Sequence, residues 1–135
     1  MNAVVVAAFV FGGVIAALSW SRRRIRRLHS QDCAFAVCAA FGPELGLPRE
    51  VRIRRAFPSI DAAVLSLWLE DFARLDGEID RLARHGGPQR LGAKTVEEAL
   101  RRGFPFLVGP GLRQAAFLVG YSAMHDGYDK SPHPA

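Results

Sequence analysis

The longest apolar run in the chain comes first. From Asn2 to Trp20 no side chain is ionisable, and only Asn2 and Ser19 are polar. At a helical rise of about 1.5 Å per residue this run covers roughly 28 Å, close to the ~30 Å hydrocarbon core of a bilayer. The pattern predicts a single transmembrane helix over 2–20. A secretory signal peptide competes, with Ala17, Leu18 and Ser19 as its cleavage region. It is disfavoured because no cation precedes the run and the basic residues follow it.

Those basic residues are Arg22, Arg23, Arg24, Arg26 and Arg27, with no acid among them. By the positive-inside rule they hold their flank in the cytoplasm, so the N-terminus is translocated and residues 28–135 are cytoplasmic. Trp20 falls where an interfacial aromatic anchors. The arginines also set the membrane lipid as a partner, since each contributes on the order of 1 kcal/mol beside an anionic leaflet. Within the span, Gly12 and Ala16, and Gly13 and Ala17, repeat small residues at helical spacing, the pattern that lets two membrane helices pack closely.

Beyond the span the pattern turns helical. No Gly or Pro lies between Val14 and Phe41, so two readings stand: the membrane helix runs on through the arginines, or Ser30 caps a new helix. Gly42 and Pro43 end it in either case. In 49–55, Val51 and Ile53 alternate with charges, which is too short to separate an edge strand from a helical turn. Ser59 reads as the N-cap of a helix from Ile60 to about Arg84, with Gly86, Gly87 and Pro88 as its stop. Along it Leu65, Trp68, Phe72, Leu75, Ile79 and Leu82 are spaced alternately by three and four, an a/d seam that packs on sister helices or pairs with a partner. Gly77 marks a position where this helix bends or breaks.

After a loop at 86–94, Thr95 and Glu98 form a capping box for a short helix ending at Gly103, its expected C′ residue. A last helix runs from Leu112 to about His125. Arg113 is the only charge between Gly103 and Met124. Its cost at a bilayer centre, roughly 2.5–3.5 kcal/mol, and the interruptions by Pro105, Pro110 and glycine favour a core helix over a second span. The expected architecture is mainly α: a transmembrane anchor at 2–20, a basic juxtamembrane segment at 21–30, a cytosolic domain of about four helices over 31–127, and a disordered tail over 128–135.

Half the 135 residues are apolar, and the formal charge is +5, from eighteen basic and thirteen acidic side chains. That excess suggests a nucleic-acid binder until it is located. Residues 22–27 hold five of the basic groups and none of the acids, so the remainder carries thirteen of each. A neutral domain argues against nucleic acid as the partner. The one basic concentration left is Arg49, Arg52, Arg54 and Arg55 beside Glu50, which keeps a membrane-tethered nucleic-acid regulator as an alternative. It faces a net-acidic helix at 60–84 and is expected to lie against it.

Chemistry is sparse. Cys33 and Cys38 lack CxxC or zinc-knuckle spacing and read as reduced, buried thiols. None of His29, His85, His125 and His133 shows a second ligand at metal spacing. His125 and Asp126, one turn after Tyr121, form the densest polar set and carry the alternative of a membrane-bound enzyme. Asp76 to Asp80 lacks the layout of a calcium loop, and no phosphate-binding or nucleophile-elbow motif occurs. No cofactor or metal is implied. Rich in arginine and alanine and poor in lysine, the sequence points to a bacterial inner-membrane protein. Its expected role is that of an accessory or scaffold subunit without catalysis, binding a protein partner or a second copy of itself.

Overall fold

The computed structural model describes residues 26–130, and these are mainly helical. The expected span, Arg22, Arg23, Arg24 and the small-residue positions Gly12, Gly13, Ala16 and Ala17 lie outside the described residues. Six helices follow one another: α1 over 26–39, α2 Arg49–Ala56, α3 Ala62–Arg84, α4 Gly87–Leu91, α5 Ala93–Gly103 and α6 Pro110–His125. Two of them, α2 and α4, exceed the expected four. Among the described residues no helix is long and apolar enough to cross a membrane, α6 included.

α3 is the spine, and its apolar seam faces inward. Leu65, Phe72, Leu75, Ile79 and Leu82 are buried in a single core with Phe35 of α1, Ile53 of α2, Leu100 of α5 and Val119 of α6. Trp68 is half-buried and sets its indole edge-on to Phe57, 5.8 Å between ring centres. At the centre Phe72 meets Phe35 at 5.3 Å and Phe106 at 5.8 Å. The seam is thus occupied within the chain, by helices that offer it both aliphatic and aromatic surface.

Several local expectations are corrected by chemistry that sequence spacing does not reveal. Asp61, not Ser59, caps α3, its Oδ1 accepting from the amides of Ala63 at 2.8 Å and Val64 at 3.4 Å. α3 passes Gly77 without a break, because helix-forming residues flank it and the seam is buried on both sides. Asp76 and Asp80 therefore sit on a continuous helix, not a loop. Thr95 lies inside α5, which starts at Ala93 after the positive-φ Gly92, so the capping box does not form. Gly103 is the last residue of α5 and Phe104 its C-cap. Gly86, at φ +97°, does end the run of α3, but α4 then starts at Gly87, with Pro88 in its first turn, where a loop was expected.

Of the segment expected to be a disordered tail, residues 128–130 are described and form a turn. The Asp129 amide donates to Ala123 O, and Arg90 Nε donates to Asp129 O, so 128–130 pack as a turn against α6 and α4. Residues 131–135 lie outside the described residues.

Candidate functional site

Of the described residues that are both polar and buried, Gln31 and Asp32 lie on α1 and Arg52 on α2. Arg26 and Arg27 occupy the first described turn of α1. Ser30 does not cap a helix there, and its hydroxyl donates to Arg26 O at 2.9 Å inside α1. The helix therefore continues through this part of the basic segment.

Two adjoining grooves of ≈ 720 and ≈ 540 Å³ run between this turn and the N-terminal half of α3, sharing Arg27, Val64 and Trp68 as walls. Phe57, Pro58 and Ile60 extend the apolar lining, and the charged groups around it are mixed, Arg26, Arg27 and Arg74 with Asp61, Glu70 and Asp71. Leu67 beside it is 61% exposed. Gln31 crosses the floor, its Nε2 donating to Asp71 Oδ2 at 2.6 Å, which ties α1 to α3.

One turn further on, Asp32 is fully buried. Its Oδ1 accepts three backbone amides, those of Val108 at 3.0 Å, Gly109 at 3.2 Å and Leu112 at 3.2 Å. This carboxylate satisfies the start of α6, whose own N-cap Gly109 has no side chain to do so. Oδ2 is equally buried and has no hydrogen-bond partner. Ligand atoms of His29, Asp32 and Cys33 lie within 4.8 Å of one another, and Cys33 Sγ is 3.8 Å from His29 Nε2. The expectation that no histidine has a second ligand at metal spacing is corrected here. His29 and Cys33 are four apart and His29 and Asp32 three apart, which places all three on one helical face. That spacing was readable in the sequence; the burial of Asp32 against α6 was not.

The other candidates resolve differently. Arg52 is buried and donates through one terminal nitrogen to Val37 O at 3.0 Å and Ala40 O at 2.6 Å, closing the C-terminal end of α1. Arg49 makes a bidentate pair with Asp76 of α3, Arg54 pairs with Glu50, and Arg55 with Glu44. Burial pulls the Arg49 guanidinium down, but Asp76 outweighs it and holds the cation above the usual arginine range. Of the four cations only Arg49 reaches the acidic helix, and the other three are engaged elsewhere within the domain. His125 Nδ1 lies 3.0 Å from Asp126 Oδ1 on an exposed helix end, with Tyr121 stacked on the imidazole. Nothing encloses that pair. Cys38 is buried and Cys33 half-buried.

Phe41, Phe117 and Tyr121 form a separate, exposed aromatic cluster. Phe41 sits 5.9 Å from Phe117 and 5.2 Å from Tyr121, and the latter two stack at 6.1 Å. α6 is apolar on nearly all sides, yet only one of its faces is buried, so these rings remain outside. Comparison with protein-family models, with curated proteins and with solved structures returns no match.

Proposed function

We propose that this chain is a single-pass membrane-anchored accessory or scaffold protein of the bacterial inner membrane, with its helical domain on the cytoplasmic face and no catalysis of its own. One observation carries the reading: nineteen residues without an ionisable side chain lead directly into Arg22, Arg23, Arg24, Arg26 and Arg27. Support comes from where the last two of these fall. Arg26 and Arg27 line the groove of Phe57, Val64 and Trp68 together with Asp61, so the start of the domain sets two cations beside apolar surface, where anionic headgroups and acyl chains would meet it. The exposed rings of Phe41, Phe117 and Tyr121 lie apart from it and supply aromatic surface for a protein partner.

A reporter fused after Ala135 tests the orientation, with activity expected only in the cytoplasm. Replacing the five arginines by asparagine is expected to scramble or invert that signal. Periplasmic activity of the unaltered fusion, or recovery of the chain in the soluble fraction, would refute the anchor. A photo-crosslinking residue at Phe117 tests the partner surface in intact membranes. A discrete adduct is expected, and recovery of the monomer alone would count against the scaffold role.

A further inference from the structure

We propose that His29, Asp32 and Cys33 on α1 form a binding site for one divalent transition-metal ion of the zinc class, with a fourth position open to solvent. Three observations meet there. First, the ligand atoms of the three residues lie within 4.8 Å of one another. Around a tetrahedral zinc, with Zn–S near 2.3 Å and Zn–N near 2.0–2.1 Å, sulfur and nitrogen stand about 3.5 Å apart. The 3.8 Å between Cys33 Sγ and His29 Nε2 is therefore within a few tenths of the separation a shared ion requires.

Second, the Asp32 side chain is buried and one of its oxygens lacks a donor. A buried carboxylate oxygen in that state is costly, and a cation is one of the few partners that removes the cost. The division of labour between its oxygens is what a metal-ligating carboxylate needs. Oδ1 is fixed by the amides of Val108, Gly109 and Leu112, as an outer shell fixes a ligand, and Oδ2 has no protein donor.

Third, burial is graded, with Asp32 buried, Cys33 half-buried and His29 exposed, so the ion has an entry path along the His29 side. The donor set of one imidazole, one thiolate and one carboxylate selects a borderline ion and disfavours calcium and magnesium, which take oxygen ligands. On binding, Cys33 releases its proton to solvent, and the thiolate and carboxylate together neutralise the 2+ charge. Through Asp32 the ion joins α1 to the start of α6.

The test is metal titration of the full chain, purified in detergent under reducing conditions and stripped with chelator. With Co²⁺ as the probe, saturation at one ion per chain is expected, with a thiolate-to-cobalt charge-transfer absorption that Zn²⁺ then displaces. His29→Ala and Cys33→Ala alter side chains outside the core and are expected to fold. Each is expected to weaken binding at least tenfold, since loss of an outer-shell partner alone costs about that much, and Cys33→Ala also to abolish the charge-transfer band. His125→Ala is expected to leave the titration unchanged. No stoichiometric binding of either ion, binding that survives both α1 substitutions, or binding lost with His125 would each overturn the proposal.

Discussion

Asp32 Oδ1 accepts the backbone amide of Leu112 at 3.2 Å, joining the middle of α1 to the first turn of α6 across eighty positions of sequence. With the Val108 and Gly109 amides on the same oxygen, one side chain satisfies three donors that otherwise have no partner. The carboxylate also meets the positive end of the helix dipole. Asp32→Ala is therefore expected to destabilise the domain by about 3 kcal/mol, beyond an ordinary lost cap, because three amides lose their acceptor at once and that of Leu112 is buried. Asp32→Asn keeps an acceptor in place and is expected to cost about half as much. Urea unfolding in the presence of chelator checks this, through a lower midpoint at unchanged slope. A loss under about 1 kcal/mol for the alanine variant would mean that water reaches those amides.

Two glycine substitutions of opposite sign, Gly111 at this junction and Gly77 on α3 as its control, test the close approach of α1 and α6. A Cβ on Gly111 would come within 2.5 Å of the Asp32 backbone oxygen and 2.6 Å of its Oδ1, whereas one on Gly77 meets nothing within 4 Å. Gly111→Ala must push α1 away from α6 and is expected to cost about 2 kcal/mol. Gly77→Ala restores helix propensity in α3 without a clash, and is expected to raise stability by about 0.5–1 kcal/mol. Equal effects of the two substitutions in thermal melts would contradict the close approach of α1 and α6.

How much of this was legible beforehand depended on the range of the interaction. The seam from Leu65 to Leu82 was readable because period and burial are both properties of one helix. The start of α3 was misplaced by two residues because Ser59 and Asp61 are both good caps, and only the backbone path decides which carboxylate or hydroxyl reaches the first amides. Thr95 and Glu98 matched a capping pattern, but Gly92 lets the chain enter α5 earlier. The role of Asp32 could not be read at all, since its partners are some eighty residues away. Of the candidate site, only the spacing of His29, Asp32 and Cys33 was available in advance. The charge of the 49–55 segment was visible, but not that its cations are directed inward and sideways.

That last point separates Arg52 from its neighbours. Arg52 donates to Val37 O and Ala40 O at the negative end of α1, while Gln114 donates to Ala39 O between them at 3.0 Å. Arg52→Ala removes two charge-assisted bonds made by a buried guanidinium to part-buried carbonyls and is expected to cost about 2–3 kcal/mol. Arg54→Ala and Arg55→Ala break exposed pairs and are expected to change stability by less than about 1 kcal/mol. The same three variants, assayed for salt-dependent retention on DNA, are expected to match the unaltered chain. A clear loss of DNA affinity in all three would reinstate the patch as a nucleic-acid surface.

Cys38 gives the fold a dependence on alkaline pH whose direction can be worked out. Burial pushes its thiol up from an ordinary 9.0 to about 11, against the opposing pull of the Arg49 and Arg52 cations. Between these values the unfolded chain has lost the Cys38 proton while the native chain retains it. The native state then binds more protons, so this group's contribution to stability is complete below pH 9 and falls as pH rises towards 11. Other groups titrate in the same range, so the comparison must be with Cys38→Ala, which has lost packing at every pH but has no thiol to ionise. The stability gap between the unaltered chain and the variant is expected to narrow as pH is raised from 8 to about 10. A gap that stays constant or widens would mean that the Cys38 thiol is not shielded from water. Thiol alkylation near pH 8 offers an independent check: Cys33 is expected to react in the native protein, and Cys38 only after unfolding.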